Sequence, residues 1–556
     1  MKKIIECVPN ISEGRNSAVI NEIIESSSNV ENSKIVDVDS GYDTNRTVIT
    51  IIGEPTAVLE SVFQLIKKAT ELIDMKNHSG AHARMGATDV CPIIPVKNIS
   101  MDECVKLSKK LAEKVSSVLG IPVFLYEKSA SNINRINLAN IRKGEFELME
   151  EKIKDKEWKP DFGKNRIHKT AGVIAIGARN YLIAYNINLN TMDRKIASDI
   201  ALDIREAGRA KRDKNGKIIR NKDGTIIKVP GTLKATKAVG WYLNEYKISQ
   251  VSMNLTDHTV TSIHDAFDEV RKQAKKRGVR VTGSEIVGLV PKSALINAGL
   301  YYLDKQKKCQ GIPQNDIMHI AKMSLGLNDI ADFNISEKVI ENLVEDNEDK
   351  LSSLDINSFL DLLSTDSPAP GGGSIAALGG AISASLISMV ANLTINNKKY
   401  KSVHKRMNSV AIDAQLLKDQ LNYLINEDTE AFNKIMDAFR LPKKTKSEII
   451  YRNNIIQEAT KYAIEIPLQT LELICEVLKN VKYIIHNGNI NSFSDSGVSA
   501  EIAIASAKSA IMNVKINLKE IEDQVYKKKI LSKIKKINSK IDNNAILIRK
   551  EINKIL

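Results

Sequence analysis

The first 330 residues alternate between β-branched runs and amphipathic segments with helical spacing. Residues 1–128 predict strand, helix, strand, strand, helix and strand, followed by one more helix and strand. Short runs such as Ile35–Val38 and Val90–Val96 indicate strands, and apolar residues at helical spacing over Pro55–Ile73 indicate a helix. This order is the split βαββαβ pattern.

The same order returns further along the chain. Tyr181–Leu189 predicts a strand and Met192–Glu206 a helix; two adjacent strands, the helix Val260–Lys275 and an extended run follow. We therefore expect two α/β subdomains, each a ferredoxin-like βαββαβ unit, that face one another. A cleft between two such halves is a common ligand site.

Beyond residue 330 the strand patterns fade and long helical patterns replace them. Glu337–Ser353 is acidic and apolar by turns, which is typical of a short helical connector. The remainder predicts an all-α helical-bundle domain. The predicted domains are 1–180 and 181–330 for the two α/β subdomains, 331–354 for the linker and 355–556 for the bundle.

One segment, Ser367–Asn397, carries no charged residue and is long enough to span a membrane. Its glycines and serines make it only weakly apolar. Small residues such as Ala376, Gly380 and Ala384 instead favour close packing between helices of a bundle, so we expect no membrane partner.

Composition fits a globular protein, with 43% hydrophobic and 27% charged residues. The five cysteines are scattered and never form a CxxC pair, which argues against a disulfide framework and a cysteine zinc site. No signal peptide fits the N-terminus, so we expect a cytoplasmic protein.

The net charge of +14 permits a polyanionic partner without requiring one. Lys211–Lys228 is a basic insertion whose NG and DG pairs predict an exposed hairpin. A nucleic-acid-binding arm is the alternative. It is disfavoured because the segment has no aromatic residues for base stacking.

The densest group of reactive side chains lies between His78 and Asp89. His78 and His82 have the i, i+4 spacing of a helical zinc site, but Gly80 and Gly86 indicate a loop, and no third ligand lies nearby. We therefore predict no metal. A loop histidine beside Arg84 favours acid–base chemistry.

A second polar cluster follows the strand at residues 35–38. Strand alternation places Asp37 and Asp39 on one face. Asp39 is therefore a candidate to orient a histidine by hydrogen bonding, although a plain polar turn also explains the cluster.

The helical region holds three further polar features. Gly371, Gly372 and Gly373 open a helix and form a generic anion cradle, without the GK[ST] ending of a phosphate loop. Asp428 lies within a helical pattern, and Asp495 lies in a polar loop that leads into a helix. Each also has an ordinary structural explanation.

Six ordered motifs of the first 330 residues resemble glutamate formimidoyltransferase. They are CVPNISEGR (Cys7–Arg15), DVDSGYDTNRTV (Asp37–Val48), HSGAHARMGATDVCPIIPV (His78–Val96), the GAR…LIAYNINL run (Gly177–Leu189), IREAGR (Ile204–Arg209) and VSMNLTDH (Val251–His258). The resemblance implies that His82 is the catalytic histidine. It also implies a folate-contacting segment formed by Gly163, Lys164, Asn165, Arg166, Ile167, His168, Lys169, Thr170, Ala171 and Gly172.

Residues 355–556 resemble the formimidoyltetrahydrofolate cyclodeaminase family, which includes related methenyltetrahydrofolate cyclohydrolases. The motifs PAPGGGS, DTEAF, RLPKKT and SDSGVSA carry this resemblance. It implies that Asp428 is the catalytic aspartate, that tetrahydrofolate is the co-substrate and that the chain forms a ring-shaped homo-oligomer.

Together the two resemblances imply consecutive reactions of histidine breakdown. The formimino group of formiminoglutamate would pass to tetrahydrofolate, and ring closure would then release ammonia. Arg84, Lys164, Arg166 and Lys169 offer positive charge for substrate carboxylates and a polyglutamyl tail. Two alternatives stay open: a transferase with a cyclohydrolase-like or inactive C-terminal domain, and a basic nucleic-acid-binding protein.

Overall fold

A computed structural model describes residues 3–42, 44–80, 82–344, 350–367 and 369–555. The chain divides into two compact units. One consists of Met1–Ala298 with Ala321–Glu345, and the other of Gly299–Ile320 with Asp346–Leu556. Residues 345–349 of the predicted linker and Pro368 of the PAPGGGS motif lie outside the described residues.

The first unit holds all the strands of the described residues. In chain order they are β1 (Ile4–Cys7), β2 (Asn10–Ile11), β3 (Ser33–Gly41), β4 (Arg46–Gly53), β5 (Thr88–Lys97), β6 (Val123–Glu127), β7 (Ile174–Ala178), β8 (Ile183–Leu189), β9 (Arg209–Ala210), β10 (Lys228–Val229), β11 (Thr236–Leu243), β12 (Ile248–Leu255) and β13 (Val281–Val287).

The α-helices of this unit separate and follow those strands. They are α1 (Ser17–Ser28), α2 (Pro55–Leu72), α3 (Met101–Leu119), α4 (Leu138–Arg142), α5 (Glu145–Lys152), α6 (Arg194–Ile204), α7 (Ile263–Lys276), α8 (Lys292–Lys305, which continues into the second unit), α10 (Ile335–Lys338) and α11 (Ile340–Val344), while α9 (Gln314–Leu325) crosses back from the second unit.

The larger sheet is mixed. In it β3, β4, β1 and β5 are antiparallel neighbours in that order, β2 continues β1 between β4 and β5, and β7 and then β6 extend the sheet in parallel. The smaller sheet has the antiparallel order β11, β12, β8, β13. The first unit is therefore mixed α/β, as the sequence predicted.

Strand alternation gives the larger sheet two different faces. Ile5, Cys7, Ile51 and Ile93 belong to the core that α1, α2 and α3 cover. Their neighbours Glu6, Val8, Thr50, Pro92 and Ile94 point to the opposite face and line a cavity.

The sequence reading missed several elements. Strand β7 lies in the apolar run before Tyr181. Helices α8 and α9 lie shortly before residue 330, where the second α/β subdomain was predicted to end. The basic insertion Lys211–Lys228 is exposed, as predicted, and folds back through bridges between Arg212 and Ile218 and between Arg220 and Ile226.

The second unit is helical. Its helices, apart from the parts of α8 and α9 that it holds, are α12 (Ile356–Leu363), α13 (Gly372–Ile395), α14 (His404–Arg440), α15 (Lys446–Asn487), α16 (Phe493–Asn517) and α17 (Gln524–Ile555). Thr445 and Glu448 form a reciprocal capping box that fixes where α15 begins. The polar segment 488–501 was predicted as a loop, but most of it forms the first turns of α16.

Helix α13 is long and apolar enough to cross a membrane by length and composition. Its small residues Ala376, Ala377, Gly380 and Ala384 are buried in the structure, where α13 packs on α14, α15 and α16. This is the close helix packing that the sequence predicted.

Candidate functional sites in the two units

The first unit contains a cavity of about 700 Å³. One wall is the open face of the larger sheet, and the opposite wall includes Ala184, Lys237 and Asn254 from the smaller sheet. The two halves therefore enclose a cleft, as the sequence predicted. Its lining combines an apolar floor with both acidic and basic side chains, which suits a flat, partly charged ligand.

His82 lines this cavity from the loop between α2 and β5. Its Nδ1 is buried and has no hydrogen-bond partner among the described residues. Burial, followed by the positive charges of Arg46 and Arg142, lowers the pKa of His82 to about 4. The imidazole is therefore neutral near pH 7.

His78 has a different environment, although it lies four residues away. Its Nε2 lies 2.8 Å from the Asn45 carbonyl oxygen, and its Nδ1 accepts a hydrogen bond of 3.2 Å from Arg84 Nε. Both ring nitrogens therefore have protein partners. Among the residues that the structure describes, no group of three or more His, Cys, Asp or Glu side chains is arranged to hold a metal.

Arg84 is 8% exposed and pairs with Glu145 at 2.7 Å and Glu147 at 2.6 Å. These carboxylates already balance its charge, and Arg84 is not among the residues that line the cavity. Its predicted part in holding a substrate carboxylate stays a prediction.

Asp37 and Asp39 both line the cavity from β3, on one face as the alternation predicted. Burial raises the pKa of Asp37. The carboxylate that acts on the pKa of His82, however, is Asp89, which raises it. Asp89 is 1% exposed and accepts hydrogen bonds from Arg142 Nε at 2.9 Å and the Met85 amide at 2.9 Å.

Sequence reasoning missed Asp89, Arg142 and Arg46. Asp89 was within a quoted motif, but its role depends on Arg142, which lies 53 residues away. Arg46 lines the cavity, and burial lowers its pKa to about 10. A charged strand residue gives no sequence signal that its partner lies on a distant helix.

The segment Gly163–Gly172 lies against the loop that carries His82. Its Thr170 carbonyl accepts from the Met75 amide at 2.9 Å, and its Ala171 carbonyl accepts from the Ala87 amide at 2.9 Å. The basic residues Lys164, Arg166 and Lys169 are exposed. The segment thus holds both ends of that loop by hydrogen bonds, but none of its residues lines the described cavity.

A second candidate site lies in the helical unit. Gly371 caps α13, and Ser374 in its first turn donates a hydrogen bond of 3.1 Å to Asp428 Oδ2 of α14. Burial raises the pKa of Asp428. A Cβ atom on Gly373 would lie 2.0 Å from Asp428 Oδ1, so the glycine is what allows the carboxyl to approach α13.

Glu427 and Asp495 are further acidic residues of the same unit. Glu427, next to Asp428, accepts a hydrogen bond from the Tyr462 hydroxyl, and Lys434 Nζ lies 3.9 Å from the Tyr462 ring centroid. Asp495 lies in the first turn of α16 and is half-buried. Among the described contacts, none joins Asp495 to Asp428.

An α/β unit with a polar cleft and a helical unit with a buried carboxyl together define an enzyme with two separate sites. Three family models cover the chain: "Formiminotransferase domain, N-terminal subdomain" over residues 4–179, "Formiminotransferase domain" over 184–345 and "Formiminotransferase-cyclodeaminase" over 355–536. The chain belongs to the formiminotransferase-cyclodeaminase family.

Individual relatives match the whole chain or one of its two regions. Formimidoyltransferase-cyclodeaminase of Mus musculus is 37% identical over 550 residues, which is 99% of this chain and 98% of that protein. Glutamate formimidoyltransferase of Streptococcus pyogenes serotype M1 is 44% identical, covering 54% of this chain and 94% of its own. Methenyltetrahydrofolate cyclohydrolase of Methylorubrum extorquens is 39% identical, covering 32% and 86%.

Proposed function

We propose that this protein carries out two consecutive reactions on a folate. It transfers the formimino group from N-formimino-L-glutamate to tetrahydrofolate, which gives 5-formimino-tetrahydrofolate and glutamate. It then closes the ring to 5,10-methenyltetrahydrofolate and releases ammonia. The observation that carries the proposal is the 37% identity to a formimidoyltransferase-cyclodeaminase over 99% of the chain.

In the first reaction His82 serves as base and then as acid. The secondary amine N5 of tetrahydrofolate attacks the formimino carbon, and the neutral imidazole takes the proton that N5 loses. The same imidazole then gives a proton to the nitrogen of glutamate as the bond between that nitrogen and the carbon breaks. The low pKa keeps the imidazole of His82 neutral near pH 7, so the ring is free to take up the proton, although as a weak base; the imidazolium that forms is a strong acid toward the departing nitrogen.

Asp39 and Asp89 are the candidates for orienting that imidazole. The sequence favours Asp39, which lines the same cavity. Asp89 has the additional support that it acts electrostatically on the ring. The basic residues of Gly163–Gly172 supply exposed positive charge for the anionic, polyglutamylated tail of the folate.

In the second reaction Asp428 serves as the acid. N10 of the folate attacks the formimino carbon, and the nitrogen that departs as ammonia must gain a proton. A carboxyl whose pKa is raised by burial holds that proton closer to neutral pH than an exposed carboxyl does. Gly371, Gly372 and Gly373 stand at the positive end of α13, where an anionic part of the folate is favoured.

We also propose the finer organisation that the sequence suggested. Two ferredoxin-like subdomains, 1–180 and 181–330, form the transferase, a linker spans 331–354 and the cyclodeaminase spans 355–556. Many bundle residues with apolar side chains are exposed, for example Leu416, Ile450 and Met512, which supports assembly into a homo-oligomer. We place the protein in the cytoplasm and assign it no metal, nucleic-acid or membrane partner.

One assay tests the whole proposal. The protein is mixed with formiminoglutamate and tetrahydrofolate, and ammonia and methenyl absorbance are recorded together. We expect both products in equal amounts. Glutamate release without ammonia would instead support the transferase-only alternative, for which similarity to a cyclohydrolase is the specific observation. Absence of all three products would reject the proposal.

A further inference from the structure

One cavity residue has no part in the chemistry described so far. Glu6 of β1 is 2% exposed, and its Oε2 has no hydrogen-bond partner among the described residues. Its Oε1 lies 3.5 Å from the Tyr181 hydroxyl, a long contact. A buried carboxyl that lacks a strong partner is costly, so a protein keeps one where a ligand supplies the missing donors.

The floor of the cavity around Glu6 is apolar. Val8, Val48, Pro92 and Ile94 lie on the same face of the sheet and line the same cavity. β1 lies between β4 and β5, with Glu6 opposite Ile52 and Ile94. The carboxyl thus stands within a flat apolar surface rather than at its edge, which suits contact with a flat ring.

The position of Glu6 along the strand separates it from His82. Asn10 pairs with Val48 of β4 and Val90 of β5. Arg46 and Asp89, whose charges act on the pKa of His82, lie further along these two strands, on the side of Asn10 away from Glu6. Glu6 precedes Asn10 by four residues, or roughly 13 Å along a strand. The two side chains therefore lie toward opposite ends of the sheet floor.

We infer that Glu6 is the residue that recognises the amino edge of the pterin. This inference rests on the proposed function, because it takes a reduced folate as the ligand of the cavity. The pyrimidine ring of the reduced pterin is flat, and its outer edge presents two adjacent donors, the 2-amino group and N3–H. A carboxylate accepts both donors, as it accepts paired donors from an arginine.

The orientation follows from the two ends of the floor. With its amino edge at Glu6, the pterin lies along the apolar strands and directs the ring that contains N5 toward His82. Burial, opposed in part by the charge of Arg179 on the same cavity wall, raises the pKa of Glu6 to about 7. Two ligand N–H groups would favour the ionised form further.

Formiminoglutamate fits Glu6 less well. Its formimino carbon must lie beside His82, and its other end carries two carboxylates that a third would repel. Glu6 is therefore assigned to the folate, and it determines which ring is held and how that ring faces the histidine.

The test measures binding by calorimetry with the full-length protein. The probes are 5-formyltetrahydrofolate, a stable reduced folate, and its analogue with the 2-amino group replaced by methyl. We expect the natural protein to bind the analogue roughly 10- to 100-fold more weakly, as for hydrogen bonds to a charged group. Equal affinities would overturn the inference without any substitution in the protein.

The variants Glu6→Gln and Glu127→Gln sharpen the test. Glu127 also lines the cavity and burial also raises its pKa, so it is a matched control. Glu6→Gln is expected to weaken 5-formyltetrahydrofolate binding about 10- to 100-fold and to discriminate little between the two probes. Glu127→Gln is expected to keep both affinities within about twofold.

Stability separates recognition from support of the fold. Glu6→Gln replaces a buried carboxyl that lacks a strong partner with a neutral amide, so the ligand-free variant should melt at the same temperature as the natural protein or higher. A lower melting temperature with equal loss of affinity for both probes would assign Glu6 to the fold and overturn the inference. A higher KM for formiminoglutamate with unchanged folate affinity would also overturn it. A natural protein that binds neither probe would instead reject the proposed function.

Discussion

Burial shifts the pKa of the key residue in opposite directions in the cleft of the α/β unit and in the carboxyl site of the helical unit. Burial disfavours charge at both places. It lowers the pKa of His82 and raises the pKa of Asp428, so each group is biased toward its neutral form. A neutral imidazole is a base, whereas a neutral carboxyl is an acid.

That difference matches the order of the chemistry. Transfer of the formimino group requires that N5 lose a proton, and ring closure requires that departing ammonia gain one. A buried environment can therefore favour either a base or an acid. An imidazole placed there is held in its basic form, and a carboxyl is held in its acidic form. The following predictions test whether the two sites are separate and whether burial prepares them.

The largest effect is expected for His82→Gln. The variant lacks the imidazole to which we assign the proton transfer, so transfer to tetrahydrofolate should fall about 10²- to 10⁴-fold. Ring closure of supplied 5-formimino-tetrahydrofolate should stay near its natural rate, because the second site is elsewhere. Glutamate release and methenyl absorbance measure the two reactions; near-normal transfer would remove His82 from the mechanism.

Asp428→Asn should impair ring closure and leave formimino transfer intact. An amide cannot donate the proton of a carboxyl, so ammonia release should fall about 10²- to 10³-fold while glutamate release continues. 5-formimino-tetrahydrofolate should then accumulate. Glu430→Gln is a matched control, since Glu430 is an exposed residue two positions along the same helix. Unchanged methenyl formation in Asp428→Asn would refute the assignment.

These contrasts also show how far the sequence leads. The mixed α/β character of the first unit was predictable because alternating strands and amphipathic helices have different periods. Strand β7 was missed because Ile174–Ala178 is a short apolar run without alternation. The start of α16 was missed because Ser494, Asp495 and Gly497 weaken a local helical pattern that tertiary packing nevertheless favours.

The candidate sites divide in the same way. His82, Asp39 and the glycines before Ser374 lie in motifs, so their positions were predictable. Glu6 lies in the first strand, and nothing in the local sequence indicates that its carboxyl is buried in a cavity. The pair of Asp89 and Arg142 depends on packing between distant segments, which a single sequence does not show.

A smaller loss is expected for Gly373→Ala. The new Cβ would lie 2.0 Å from Asp428 Oδ1, so the carboxyl must move away. A shift of this size should reduce ammonia release about 10- to 100-fold without affecting transfer. Gly497→Ala is the control, because its Cβ would meet no described atom closer than 3.6 Å. Full activity in Gly373→Ala would show that the position of Asp428 is unimportant.

The smallest change is expected for Ser374→Ala. The Ser374 hydroxyl stabilises the ionised form of Asp428 and so lowers its pKa. Without it the pKa rises, the acid form persists to higher pH, and the alkaline decline of ammonia release moves upward in pH. The rate itself should change by no more than about tenfold. Ser383→Ala, on the same helix but bonded to Ser499, should leave the decline in place; a downward shift in Ser374→Ala would contradict the account.

The most direct measurement is the titration of His82 itself by carbon-13 NMR of labelled histidines, with His82→Gln used to assign its resonance. Burial, Arg46 and Arg142 hold the ring neutral, so the account predicts a midpoint near pH 4 in the ligand-free protein. A midpoint at or above the ordinary histidine value of about 6.5 would contradict it, because burial and the two arginines would then not hold the ring neutral.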